Sequence, residues 1–154
     1  MTHLVERSVV TDAIVEALET LGFPVGDNTT PDASYGWQGE PNAASTNFIP
    51  WISVTPMPGN GVAQDLASLG SRGEWLLSYS IYVAGVTRSQ SEKMADRARN
   101  KLANTFKVEC TGEVANWRIQ GIACTNIGSN NRVGEAIPYH FTQTDSFQVY
   151  VTEG

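Results

Sequence analysis

Between Glu74 and Phe106 the chain changes its apolar period once, and that change fixes two adjoining elements. Trp75, Leu77, Tyr79, Ile81 and Val83 alternate with neighbours that include Ser78 and Ser80, the two-residue period of a strand with one buried face. After a short turn the period becomes helical: Met94, Ala98, Leu102 and Phe106, with Ala95 and Ala103, fall on one face of a helix reaching about Phe106. Ser89-Gln-Ser-Glu92 reads as a capping box, the Ser89 hydroxyl accepting the Glu92 amide while the Glu92 carboxylate reaches back to the Ser89 amide. A strand that feeds a helix folding back over it requires a sheet with one covered face.

The remaining elements fit round that pair. Val5, Val9, Ala13, Ala17 and Leu21, beside Val10, Ile14 and Leu18, predict a helix from about Leu4 to Leu21, with Arg7, Asp12, Glu16 and Glu19 outward and Gly22 as its stop. Residues 25–47 are rich in Gly, Asn, Asp, Pro, Ser and Thr and read as a long loop. Tyr35 and Trp37 in it serve either a partner contact or the domain's own core. A strand is expected from Phe48 to Thr55, at an edge or irregular because Pro50 lacks an amide donor. Pro56-Met57-Pro58-Gly59-Asn60-Gly61 is expected to end regular structure and open a protruding connection over residues 56–73.

Trp117, Ile119, Gly121, Ala123 and Ile127 alternate along the next strand, Gly128 to Gly134 reads as a hairpin loop, and a last strand runs from about Ile137 to Thr152. Unbroken, that last strand would span ~50 Å, so a bend near Gln143 to Ser146 is expected. The expected class is α+β: one domain over residues 1–154, with a mixed, mainly antiparallel sheet of about four to five strands, two helices on one face and protruding hairpin loops.

Size and charge exclude several functions. A chain of 154 residues needs no disulfide or metal staple, and Cys110 and Cys124, in no CxxC pattern and joined by only His3 and His140, make no zinc set. No cofactor or metal centre is expected, nor a secretion signal or membrane-spanning run. Net charge is −6, all of it in residues 1–73, where two basic side chains face eight acidic ones. Such a balance lacks the basic footprint that phosphate neutralisation requires, so tight DNA binding is disfavoured. The acidic half suits a basic partner or a solvated helix face, and the row Lys93, Arg97 and Lys101 suits an acidic neighbour or solvent. The glycine pairs at Gly59-Asn-Gly61 and Gly70-Ser-Arg-Gly73 read as turns, His140 lies on the strand face opposite Asp145, and no nucleophile elbow exists. No enzyme is expected.

The element order, and above all Leu77-Ser-Tyr-Ser-Ile-Tyr-Val-Ala-Gly-Val leading into Ser91-Glu-Lys-Met-Ala-Asp-Arg-Ala-Arg-Asn-Lys-Leu, resembles the tail terminator, tail-completion and head-tail joining proteins of long-tailed bacteriophages, from about Leu4 to Val151. The resemblance implies a virion protein of the tail or neck, made in the host cytoplasm. It would form a six-subunit homo-oligomeric ring that caps the tail tube, ends polymerisation of the tube protein and offers a surface to the head connector. DNA would only pass through its lumen. In that setting Asp65 and Arg72 would be polar tips of the 56–73 loop, Lys93, Arg97 and Lys101 the lateral contact, and Tyr35 and Trp37 a partner contact. The alternatives are a head-side connector or stopper ring and, in another class, a small cytosolic ligand-binding or hydrolytic domain.

Overall fold

The computed structural model describes residues 3–27, 36–38, 47–61, 74–134 and 139–154. Helix α1 (Arg7–Glu19) buries Val10, Thr11, Ile14 and Leu18, and the chain leaves it through Gly22 at φ +89°, the left-handed stop that glycine permits. It is shorter than the predicted Leu4–Leu21 because Glu6, at its N-cap, turns its carboxylate to a distant loop. Arg7, expected outside, is half-buried: its guanidinium lies 4.8 Å from the Tyr79 ring centroid and donates to the Ser78 carbonyl. Helix α2 (Arg88–Ala103) buries Ser91, Met94, Ala95, Ala98 and Leu102. Its cap lies two residues upstream of the expected box. The Thr87 hydroxyl accepts the Gln90 amide at 3.0 Å and Gln90 Oε1 accepts the Val86 amide at 2.7 Å, while Glu92 pairs with exposed Arg88. The helix stops before Phe106, and neither Ala103 nor Phe106 faces the sheet; both are exposed.

Strands β1 (Val25–Asp27), β2 (Gly36–Trp37), β3 (Phe48–Ile49), β4 (Trp51–Gly61), β5 (Glu74–Gly85), β6 (Val108–Thr111), β7 (Asn116–Asn126), β8 (Asn130–Val133) and β9 (His140–Glu153) complete the element order. The main sheet has seven strands, not four to five, in the order β1-β4-β5-β9-β7-β6 with β8 also on β9. It is mixed, since β1 runs parallel to β4, whereas the other pairings are antiparallel. The additional strands, β1, β6 and β8, are only three or four residues long and stand only on a partner's ladder, so no period marks them in the sequence. Val25–Asp27 was expected to be loop and pairs with Ile52–Val54; Asn130–Val133 was expected to be a hairpin loop and pairs with His140–Gln143.

Proline acts as expected at one place and not at another. Pro50 separates β3, which pairs with β2 in its own two-stranded ladder, from β4. Pro56 to Gly61 does not end β4. The strand crosses them with a register shift between Met57 and Asn60, on a margin that β1 leaves free, where missing amides cost no ladder bond.

Both helices cover one face, which carries Ile52, Val54, Leu77, Tyr79, Ile81 and Val83 together with Trp117, Ile119, Ile122, Phe147, Val149 and Val151 in a single core. The last strand is unbroken over 14 residues and pairs with β5 without a shift. The expected bend sits instead in β7, which shifts register between Ile119 and Gly121 and between Cys124 and Asn126. The first shift moves Ile122 into the core and turns Ala123, predicted inward, to solvent; Ile127, also predicted inward, lies beyond the end of β7 and is exposed.

Candidate functional site

One edge of β9 holds two partners in succession: Ser146–Glu153 pair with β7, and His140–Gln143 with β8. At the joint, opposite Thr144 and Asp145, residues Ile127–Ser129 leave the ladder. Asp145, 3% exposed, takes over the missing bonds. Its Oδ1 accepts the Gly128 amide at 2.9 Å and the Gln143 side-chain amide at 3.0 Å, and its Oδ2 accepts Arg99 from α2 at 2.5 Å. Asp96 binds the same guanidinium from the exposed side. Asn130 Nδ2 donates to Ser91 Oγ at 2.7 Å, tying β8 to the first turn of α2. A buried charge is tolerated only with such partners, and here they fix the course of the whole β7–β8 margin. Parity had placed Asp145 opposite His140, and the structure agrees. His140 stacks under Phe48 at 5.4 Å, and burial holds its pKa below the usual imidazole range.

A second carboxylate anchors the start of α1. Glu6 Oε2 accepts Trp117 Nε1 at 3.0 Å and the Ala115 amide at 3.2 Å, and Oε1 accepts the Glu113 amide at 2.7 Å. The indole hydrogen bond, joined by the backbone amides of Glu113, Val114 and Ala115, holds its pKa below the ordinary carboxylate value. A depressed folded pKa contributes stability above the unfolded value and loses it as pH falls through the folded one. Glu6→Gln is therefore expected to melt below the wild type at neutral pH, with the gap closing on acidification below the ordinary glutamate range. Thermal melts by circular dichroism from pH 7 to 3 read this, and a gap independent of pH would contradict it.

The outward row on α2 is partly engaged. Lys93 and Arg97 are exposed and Lys101 is half-exposed. Arg97 donates to the Leu21 carbonyl at 3.2 Å and lies 5.3 Å from the Phe23 ring centroid, bridging the two helices. A cleft of about 660 Å³ lies between α1, the end of α2 and β6, with Asp12 and Glu16 on one wall and Lys101 on another. Trp37 packs edge-on against Phe48 at 5.2 Å. Tyr35, Asp65 and Arg72 lie outside the described residues. Among the described residues no cluster of His, Cys, Asp and Glu is arranged for a metal ion, and no helix is long and apolar enough to cross a membrane. Cys110 is buried and Cys124 exposed, both as free thiols.

The face of the sheet away from the helices was legible from strand parity alone. It carries Thr55, Ser80, Thr144, Ser146, Gln148 and Thr152 in facing register, with Tyr82 beside Thr144 and the charged Glu74 and Arg118 on either side of Thr152. What parity could not give is the joint at Asp145. It depends on Arg99, 46 residues earlier in the chain, for which the sequence offers no local signal.

No protein-family model and no curated protein sequence matches the chain. Solved structures do match. A chain from the virion of a native gene transfer agent particle aligns over 94% of this chain and 92% of its own, at TM-score 0.52 and 14% identity. The two share a fold. Another solved chain aligns over 95% of this one at 13% identity, but its TM-score of 0.43 carries no argument.

Proposed function

We propose that this chain is a structural subunit of a phage-like virion whose activity is assembly. The observation that carries this reading is the end-to-end fold match with a chain of a gene transfer agent virion, 94% of one against 92% of the other. The finer proposal is a six-subunit ring that caps the tail tube, stops its growth and receives the head connector, as the resemblance in residues 77–102 implies. Ring closure needs two different lateral surfaces on each copy. Asp12 and Glu16 on α1 and Lys93 on α2, which lies outside their cleft, supply opposite charges for such a contact, whereas Lys101 faces the acidic wall within its own copy. The hydroxyl-rich face of the sheet suits a bore through which DNA slides, because Arg118 on it is already paired with Glu109 and is not free to hold phosphate.

Mixing the purified protein with tail-tube subunits, followed by electron microscopy, tests this reading. Capped tubes of limited length are expected. Binding to heads alone would favour the connector reading, and binding to neither would overturn both. Lys93→Glu is expected to weaken capping by more than ~10-fold while stability stays within about 0.5 kcal/mol, as for other exposed substitutions. Arg97 is left unchanged in that variant because its bond to Leu21 would confuse folding with assembly. Unaltered capping would remove Lys93 from the contact.

A further inference from the structure

The two margins of the sheet are built differently. On one side β4 runs past β1 with Pro56 and Pro58, residues that have no amide to offer a visiting strand. On the other side β6 covers only Asn116–Ile119 of β7, so the margin from Gln120 through β8 to Val133 has no neighbouring strand among the described residues. That margin holds one charge, Arg132, whose guanidinium lies over the Tyr139 ring at 4.3 Å. It also exposes two large apolar side chains, Ile127 at 62% and Val133 at 38%. Natural sheets guard free edges with charge, proline or a covering segment, and among the described residues this margin has no proline, no covering segment and Arg132 as its one charge.

We propose that the Gln120–Val133 margin is completed by the same margin of a second copy, antiparallel about a two-fold axis. A self-pairing edge sets each charge against its own kind, so it must be nearly neutral, as this one is. The register follows from the end of β6. A strand running alongside β7 cannot pass Ile119 without striking β6, and residues paired across the seam must point to the same face, so Gly121 of one copy meets Val133 of the other and the axis falls at Ile127. In that register Gly121–Cys124 of each copy pairs with Asn130–Val133 of the other. Both runs lie clear of the irregular segment Ile127–Ser129, and the two exposed Ile127 side chains meet near the axis. The result is one continuous sheet through both copies with all helices on the same side. The inference does not rest on the tail-tube reading.

The test uses the isolated protein. Light scattering coupled to size exclusion is expected to show a dimer, and Ile127→Lys, which sets two cations together, is expected to weaken it by more than ~10-fold. The far-ultraviolet circular dichroism of that variant should be unchanged, and its melting temperature should equal that of the wild type diluted until it is monomeric, because the residue is exposed in a single copy. In a Cys124→Ser, Asn126→Cys protein the new thiols would sit within about 10 Å of each other across the axis, so a short bis-maleimide is expected to link two chains. A monomer at ~100 μM, a dimer indifferent to Ile127→Lys, or no linkage at position 126 would each overturn the proposal. Tube capping by a protein that stays monomeric would overturn this inference and leave the proposed function standing.

Discussion

Asp145→Ala is expected to destabilise the fold by about 3–5 kcal/mol, the usual cost of removing one member of a buried ion pair. The loss has three parts: Arg99 keeps only its exposed partner, the Gly128 amide loses its acceptor where the ladder is interrupted, and Gln143 loses the acceptor of its side-chain amide. Asp96→Ala removes the outer partner of the same guanidinium, 59% exposed, and should cost under about 1 kcal/mol. Urea denaturation of the two variants measures the contrast. Equal costs would show that the Asp145 joint is not the point where α2 is locked to β9.

Gly128→Ala is the second large effect. A Cβ at this position would stand 1.9 Å from the Thr144 carbonyl oxygen and 3.0 Å from its carbon, and both are backbone atoms that cannot swing aside. The joint must open to admit a single methyl group, at an expected cost of about 3 kcal/mol or more. Gly121, in the same strand pair, has nothing within 4 Å of its virtual Cβ, so Gly121→Ala should stay within about 1 kcal/mol of wild type. Denaturation midpoints of the pair separate steric exclusion from a general intolerance of β7 to side chains. If the two variants were alike, the close approach at Thr144 would have no structural weight.

How much of this was legible in the sequence depended on how far apart the interacting residues lie. The alternation from Trp75 to Val83 and the stripes of both helices specify their elements because each reports on one continuous face. The same holds for β9 from Phe147 to Val151, whose odd positions are core and even positions are not, whereas nearer its start Thr142, Gln143 and Asp145 are all buried. Caps and bulges were not legible. Thr87 and Gln90 do the work assigned to Ser89 and Glu92, because the approach of the Val86 amide, set by the end of β5, selects which of two similar patterns closes. The shift after Ile119 reverses the faces as far as Cys124, where a second shift reverses them again, and nothing in Gln120-Gly121 distinguishes the first from regular alternation. Of the proposed contact residues, Lys93, Arg97 and Lys101 are at the surface as read, although Arg97 is already spent in joining the two helices.

The tie between Glu6 and the Glu113–Trp117 turn, with the His3 amide on Glu153 at 2.9 Å, has a consequence for biosynthesis. The first helix leaves the ribosome well before the turn that anchors it, and the strand shared by β5, β7 and β8 follows every other described element. The apolar stripe of the helix therefore waits, unburied, until that strand is made. Folding becomes a late and largely concerted event on the order of milliseconds to seconds, as for other chains dominated by distant pairings. The nascent chain is consequently most exposed to aggregation just before β9 arrives.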